Sequence, residues 1–207
     1  MKKCKTNVFR VVSVILMFAM MVSAVSAGTA RTQAKKKKNV AILYFSATGT
    51  TEGAAKRIKK TTKGEMIAIK AADPYTEKDL DYGDKNSRVT KEHESADSLA
   101  KSKVRPEIAN LSAIKKAVKK ADVIYIGYPI WWGEAPHIVY SLVENVNLGG
   151  KTVIPFSTSI SSGMGGSARH LKSKAKISST TKWLTGRNFY DIPSQKTVDK
   201  WIEGLRM

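Results

Sequence analysis

Residues 39–45, NVAILYF, form an unbroken apolar run rich in β-branched and aromatic side chains, and the next six residues, SATGTT, carry no charge. A continuous run of this kind reads as a strand buried on both faces, which is the situation of a parallel sheet covered by helices. The loop after it combines Ser46, Thr48, Gly49, Thr50 and Thr51. Its hydroxyls can donate to phosphate oxygens, and Gly49 allows the tight turn that aims successive backbone N–H groups at one centre. A helix starting there adds unpaired donors and the positive end of its dipole. No lysine lies inside the loop, which suits a monophosphate held by neutral donors. A nucleoside-triphosphate loop would read G-x-x-x-x-G-K-[ST], and Gly150-Lys151-Thr152 supplies only the tail of that pattern.

Downstream, helical and strand patterns alternate. Residues 52–63 predict a helix with Ala54, Ala55 and Ile58 inward, and residues 65–70 a second strand. Residues 111–121 place Leu111, Ile114, Ala117 and Val118 at helical spacing with lysines opposite, and strand 122–128 follows. Helix 137–146, strand 150–156, helix 166–174 and a weaker fifth strand at 182–189 come next. Residues 194–205 predict a closing helix capped by Ser194, with Val198, Trp201, Ile202 and Leu205 facing inward. Such alternation implies right-handed βαβ crossovers and an α/β fold, a doubly wound parallel sheet with helices on both faces. Ligands in these sheets bind at the carboxyl ends of the strands where strand order reverses, here the loops after residues 45, 128 and 156. The charged, polar segment 71–110 interrupts the pattern. It is too long for a plain connection, and it predicts an insertion, helical over 87–101, that folds over one edge of the domain near the ligand.

The other two strand-end loops are as distinctive as the first. Residues 127–136, GYPIWWGEAP, set Trp131 and Trp132 side by side after a buried strand. Large aromatics either fill cores or stack on flat ligands, and Gly133 lets a peptide approach a ring edge or change orientation. Residues 156–167, FSTSISSGMGGS, offer backbone donors to a planar ring. Gly163, Gly165 and Ala168 spell a dinucleotide fingerprint, but in the wrong place, since that motif belongs after the first strand. No catalytic residue and no metal site is predicted: there is no G-x-S-x-G, and His93, His137 and His170 are scattered. His137, next to the tryptophan loop, is the candidate proton donor.

The first 27 residues have the three-part layout of a secretory signal peptide: Lys2, Lys3, Lys5 and Arg10, an apolar run over 11–22, and Val25-Ser26-Ala27 before the expected cleavage. A retained anchor would need roughly 20 apolar residues. Cys4, the single cysteine, precedes the apolar run, which excludes lipid attachment after it and disulfides in the processed chain. Residues 28–38 read as a flexible basic linker. The net charge is +19, and removing residues 1–27 takes away four positive charges and leaves +15. A field of that size attracts anionic surfaces or partners. The spread of the basic residues, with no recognition motif, argues against nucleic acid and for an anionic cell-envelope surface.

On these three loops, residues 39–207 resemble the flavodoxin-like family, and more narrowly the exported or stand-alone bacterial flavodoxins whose second loop reads GYPIWWG and whose third reads PFSTS. The resemblance implies a five-stranded parallel sheet of order 2-1-3-4-5 and bound flavin mononucleotide (FMN). It places the phosphate at Ser46, Thr48, Gly49, Thr50 and Thr51. It sets Pro129, Ile130, Trp131, Trp132 and Gly133 around the isoalloxazine, and Thr158, Ser159, Ser162 and Gly163 along its pyrimidine side. The chain departs from the family in its basic charge, its export signal, and Ile160-Ser161 where glycines are common. The expected activity is electron transfer outside the cytoplasmic membrane, to a redox partner protein or a small acceptor. A nicotinamide-dependent quinone reductase and a flavin-free binding module of the same fold are the alternatives.

Overall fold

The computed structural model describes residues 38–94 and 102–205, so the predicted signal peptide and residues 28–37 lie outside the described residues. The sheet comprises β1 (Val40–Tyr44), β2 (Glu65–Ala68), β3 (Val123–Pro129), β4 (Thr152–Thr158), β5 (Lys182–Trp183) and β6 (Arg187–Phe189). All pairings are parallel, and the order is β2-β1-β3-β4-β5, with β6 continuing the fifth position beside β4. The expected order 2-1-3-4-5 is therefore present, and the chain reverses direction across the sheet between β1 and β3.

The period-2 geometry of β1 divides its side chains between two cores. Ile42 and Tyr44 join Ala54, Ala55 and Ile58 of α1 (Thr50–Thr62) and Val198 and Trp201 of α6 (Gln195–Glu203) on one face. Ala41, Leu43 and Phe45 face the other way. There they meet Ile114 and Val118 of α3 (Leu111–Lys120), Ile138 and Leu142 of α4 (His137–Asn145), and Leu171 of α5 (Ser167–Lys174). Burial on both faces explains why β1, β3 and β4 read as continuous apolar runs. Ser194 caps α6 as expected, its side chain accepting from Thr197 N–H.

The fifth strand is broken where the sequence suggested one weak strand over 182–189. Leu184 N–H donates to Val153 C=O at 2.9 Å and Ser159 N–H to Phe189 C=O at 3.1 Å, so the odd-numbered residues of β4 turn their backbone groups toward this edge. Pro155 is one of them and has no N–H to offer. The interruption between β5 and β6 falls opposite it.

The insertion closes on itself at its base. Ala71 and Ile108 form an antiparallel bridge. The Asn110 side chain accepts from Lys70 N–H at 3.1 Å and donates to Ala68 C=O at 2.8 Å. Between these ends lie a 3₁₀ turn (Lys78–Leu80) and α2 (Arg88–Glu94), while residues 95–101 of the predicted helix lie outside the described residues. Tyr75, Leu80 and Val89 pack into the same core as Phe45 and Trp131, which brings the insertion over the carboxyl ends of β1 and β3.

Candidate functional site

The first loop is folded around a single oxygen. Ser46 Oγ accepts from Gly49 N–H at 3.1 Å and from Glu52 N–H at 3.2 Å. Gly49 caps α1 with φ at +91°, a conformation L side chains rarely adopt, and open space surrounds the position a Cβ would take. Thr48 and Gly49 are exposed and Thr50 half-buried, so this part of the loop faces solvent above the helix end. Thr51 points the other way. It is buried, and its Oγ1 lies 2.7 Å from Thr158 Oγ1 at the end of β4. The pair has two hydroxyl protons and uses one between them, so one remains free to donate. This contact ties the first loop to the third.

The second loop is a tight turn. Trp131 N–H donates to Glu134 C=O at 2.8 Å and Glu134 N–H to Trp131 C=O at 2.9 Å. The central residues, Trp132 and Gly133, have φ of +50° and +77°, as in a type I′ turn. Glycine tolerates this freely, but a bulky residue there is a rare outlier. The two tryptophans then part company. Trp131 is buried and meets Phe45 and Tyr75 edge-on, with ring centroids 5.5 Å and 5.2 Å away. Trp132 is 44% exposed and stacks on His93 of the insertion at 4.8 Å and 9°. Tyr82 tilts against it at 5.5 Å, and burial pushes that phenol up to about 12. Pro129 and Ile130 are half-buried, and Ile130 N–H donates to Thr158 C=O at 2.8 Å.

In the third loop Ser159 N–H donates to Phe189 C=O, its hydroxyl donates to Asn188 Oδ1 at 3.2 Å, and its Oγ accepts from Gly163 N–H at 3.1 Å. Ser162 is exposed and Gly163 is half-buried with the Tyr190 hydroxyl beside it. Gly165 sits against Gly133 C=O, so the second and third loops touch. The predicted residues thus gather at one end of the sheet, with Thr51, Thr158 and Trp131 turned into its interior. Around them stand exposed apolar side chains: Ile160, noted above as a departure, at 96%, and Tyr190 at 65% and Ile192 at 47%, which the sequence did not single out.

Sequence reading also missed a buried polar cluster beneath the tryptophans. Glu92, from α2, accepts the Tyr75 hydroxyl at 2.8 and 3.0 Å and Arg88 Nε–H at 2.9 Å, and lies 3.5 Å from His137 Nδ1. Burial and the adjacent Glu92 carboxylate push the Tyr75 phenol far above its ordinary value. His137 is 2% exposed, and its Nε2 has no hydrogen-bond partner among the described residues. It lines a cavity of about 10 Å³ with Glu92, His93 and Trp132, room for roughly one water molecule. The proton-donor candidate is therefore interior. Glu134 is also buried and joins His170 Nδ1 at 2.5 Å. No spacing rule links Tyr75, Glu92 and His137; only the insertion's fold does.

The arrangement fits a flat ligand with an anionic tail: neutral donors converge at a helix end, and an aromatic turn and a serine–glycine loop stand beside them. Comparison with known proteins places this geometry in context. A family model described as flavodoxin matches residues 37–205. A solved structure of a Bacteroides eggerthii protein described as a flavoprotein is 36% identical, with a TM-score of 0.71, covering 82% of this chain and 99% of that one. A second, from Bacteroides uniformis and described in the same terms, is 37% identical, with a TM-score of 0.68, covering 81% and 99%. A search of curated proteins found no match. With the family model spanning the described sheet and these two likenesses covering nearly the whole of each relative, the chain belongs to the flavodoxin family.

Proposed function

We propose that the chain binds one FMN at the carboxyl end of its sheet and serves as an electron carrier outside the cytoplasmic membrane. The observation that carries this reading is the convergence of Gly49 and Glu52 N–H groups on one oxygen at the start of α1. That oxygen is Ser46 Oγ, and the loop so fixed presents Thr48, Gly49 and Thr50 to solvent at the helix end, the setting a phosphate monoester needs. The Thr51–Thr158 contact and the Gly133–Gly165 approach bring the three loops together at this point. Ser46, Thr48, Thr50 and the helix end would hold the phosphate. Pro129, Ile130, Trp132 and Gly133 would flank the ring, with Trp131 beneath them, and Ser159, Ser162 and Gly163 would meet its pyrimidine side.

The bound flavin supplies the redox chemistry, while the chain positions it and sets its electrostatic surroundings. Trp132, exposed on one side and stacked on His93 on the other, presents an apolar face that disfavours added negative charge. The site's loops, residues 46–51, 129–133 and 157–166, contain no charged side chain. The export signal read in residues 1–27 supports action outside the membrane, and the net charge of +15 left without those residues supports a partner with an acidic face.

The test is direct. The chain from residue 28 is purified and titrated with FMN, then assayed for nicotinamide oxidation with a quinone present. The proposal expects a yellow one-to-one complex with little nicotinamide turnover. Rapid turnover would favour the reductase, and no uptake would favour a flavin-free module.

A further inference from the structure

The opposite end of the sheet carries a different signal. In sheet order, β2, β1, β3, β4 and β5 are entered through Lys63, Lys38, Lys120, Lys151 and Lys182, each at, or within three residues before, the first paired residue of its strand. Strands in a sheet lie about 4.8 Å apart, so the row runs for about 20 Å. Four of the five lysines are exposed; Lys151 is half-buried and donates from Nζ to Ala121 C=O at 2.6 Å. Lys176 adds a further charge at this end, where its C=O accepts Leu148 N–H. Among the described residues none of these lysines is in an ion pair. Carboxylates lie at this end as well: Glu65 and Asp122 at the strand starts, and Glu144, paired with Arg105, and Glu203 in the last turns of α4 and α6; Asp122 Oδ2 accepts from Asn39 N–H at 2.8 Å.

Compensation of helix dipoles explains lysines in last helical turns, such as Lys120. It does not explain Lys38, Lys151 or Lys182, which precede or begin strands. At the other end the three site loops have no charge, and lysines there, such as Lys78, Lys85 and Lys196, lie outside those loops. We propose that this lysine-lined end of the sheet is a docking face for an anionic lipid bilayer. Three observations favour lipid as the occupant. The row crosses all five strand starts, with Lys151 also lining a groove shared with Lys115 and Lys119. Ile177, 38% exposed, stands beside Lys176 as an apolar side chain at the level of the charges. Lys38 lies in the row and is exposed, and lysines at 35–37 precede it in sequence. Each lysine near an anionic leaflet contributes favourably and additively, within a Debye length of the surface. Docked this way, the domain would hold its three strand-end loops away from the bilayer, about the length of β4, or roughly 20 Å. The inference does not depend on the cofactor.

The test uses residues 37–207, which contain the whole sheet, both cores and the matched family region but lack the basic lead. Co-sedimentation is measured with vesicles of 30% phosphatidylglycerol in phosphatidylcholine and with phosphatidylcholine alone. Binding to the anionic vesicles only, weakened by added salt, is expected. Lys120→Glu/Lys176→Glu/Lys182→Glu should lower it by more than about a hundredfold, and the milder Lys→Gln set by about a hundredfold. The charge-matched control Lys78→Glu/Lys85→Glu/Lys196→Glu, at the site end, should retain binding. Equal losses in the two triple-Glu variants, or equal binding to neutral vesicles, would overturn the proposal. So would tighter binding to duplex DNA than to the anionic vesicles, lost in the first variant alone.

Discussion

Trp132 holds a left-handed backbone conformation that costs a non-glycine residue about 1–2 kcal/mol, and the contact that offsets this cost comes from a distant part of the chain. The two hydrogen bonds between Trp131 and Glu134 close the turn, and His93 stacks on the ring. His93→Ala should therefore red-shift Trp132 emission and weaken FMN binding while costing less than about 1.5 kcal/mol of stability; an unchanged spectrum would show that the stack does not position the ring. Thr51 and Thr158 give a second residue-level test. Replacing either with Val strands a buried hydroxyl and should cost about 1–3 kcal/mol by denaturant unfolding, whereas the double Val variant should cost less than the sum. Strict additivity would mean that the two hydroxyls do not share one bond.

At the scale of elements, the insertion is what the sequence described least. Its charge and length marked it as unusual, yet its role at the tryptophan loop depends on Tyr75, Val89 and Glu92 meeting Phe45, Trp131 and His137 across the fold. Such pairings leave no local period. The strands and helices of the sheet, by contrast, were legible because two-sided burial and amphipathic spacing are local patterns. The split of the fifth strand escaped notice because Pro155 acts on its neighbour in space. The strand-end loops were legible as a set, but their division into solvent-facing and inward-facing members was not: Trp131 and Trp132 are chemically identical neighbours with different fates. Arg88→Ala tests the insertion's anchor. Removing that guanidinium from the buried Glu92 carboxylate should destabilise the domain by about 3 kcal/mol.

The junction of α6 with α1 gives a pH test at the same scale. Asp199 Oδ1 accepts from Thr61 Oγ1 at 2.5 Å and from Gln195 Nε2 at 2.9 Å, and these bonds hold its carboxyl below the usual value of 3.8. A depressed folded-state value means the contribution is present above 3.8 and is lost as pH falls through the lower, folded-state value. The melting-temperature gap between the native chain and Asp199→Ala should therefore be full at pH 6 and shrink below pH 4. A gap that does not change with pH would contradict the assignment.

Viewed whole, the molecule is polarised along its strands. One end carries neutral, hydroxyl-rich and aromatic loops with Ile160 and Tyr190 exposed beside them, and the other carries the lysine row. On the proposals made above, this division would give each end a separate task, cofactor binding at the first and surface attachment at the second, with the three site loops themselves free of charge. The central claim is that the first loop selects a phosphate, and the most direct measurement is a paired calorimetric titration of the chain from residue 28 with FMN and with riboflavin, which lacks only the phosphate. Two charge-assisted hydrogen bonds to the phosphate are together worth about 3 kcal/mol or more, so FMN should bind one-to-one and at least about a hundredfold more tightly than riboflavin. Equal affinity for the two, or no uptake of either, would contradict the account.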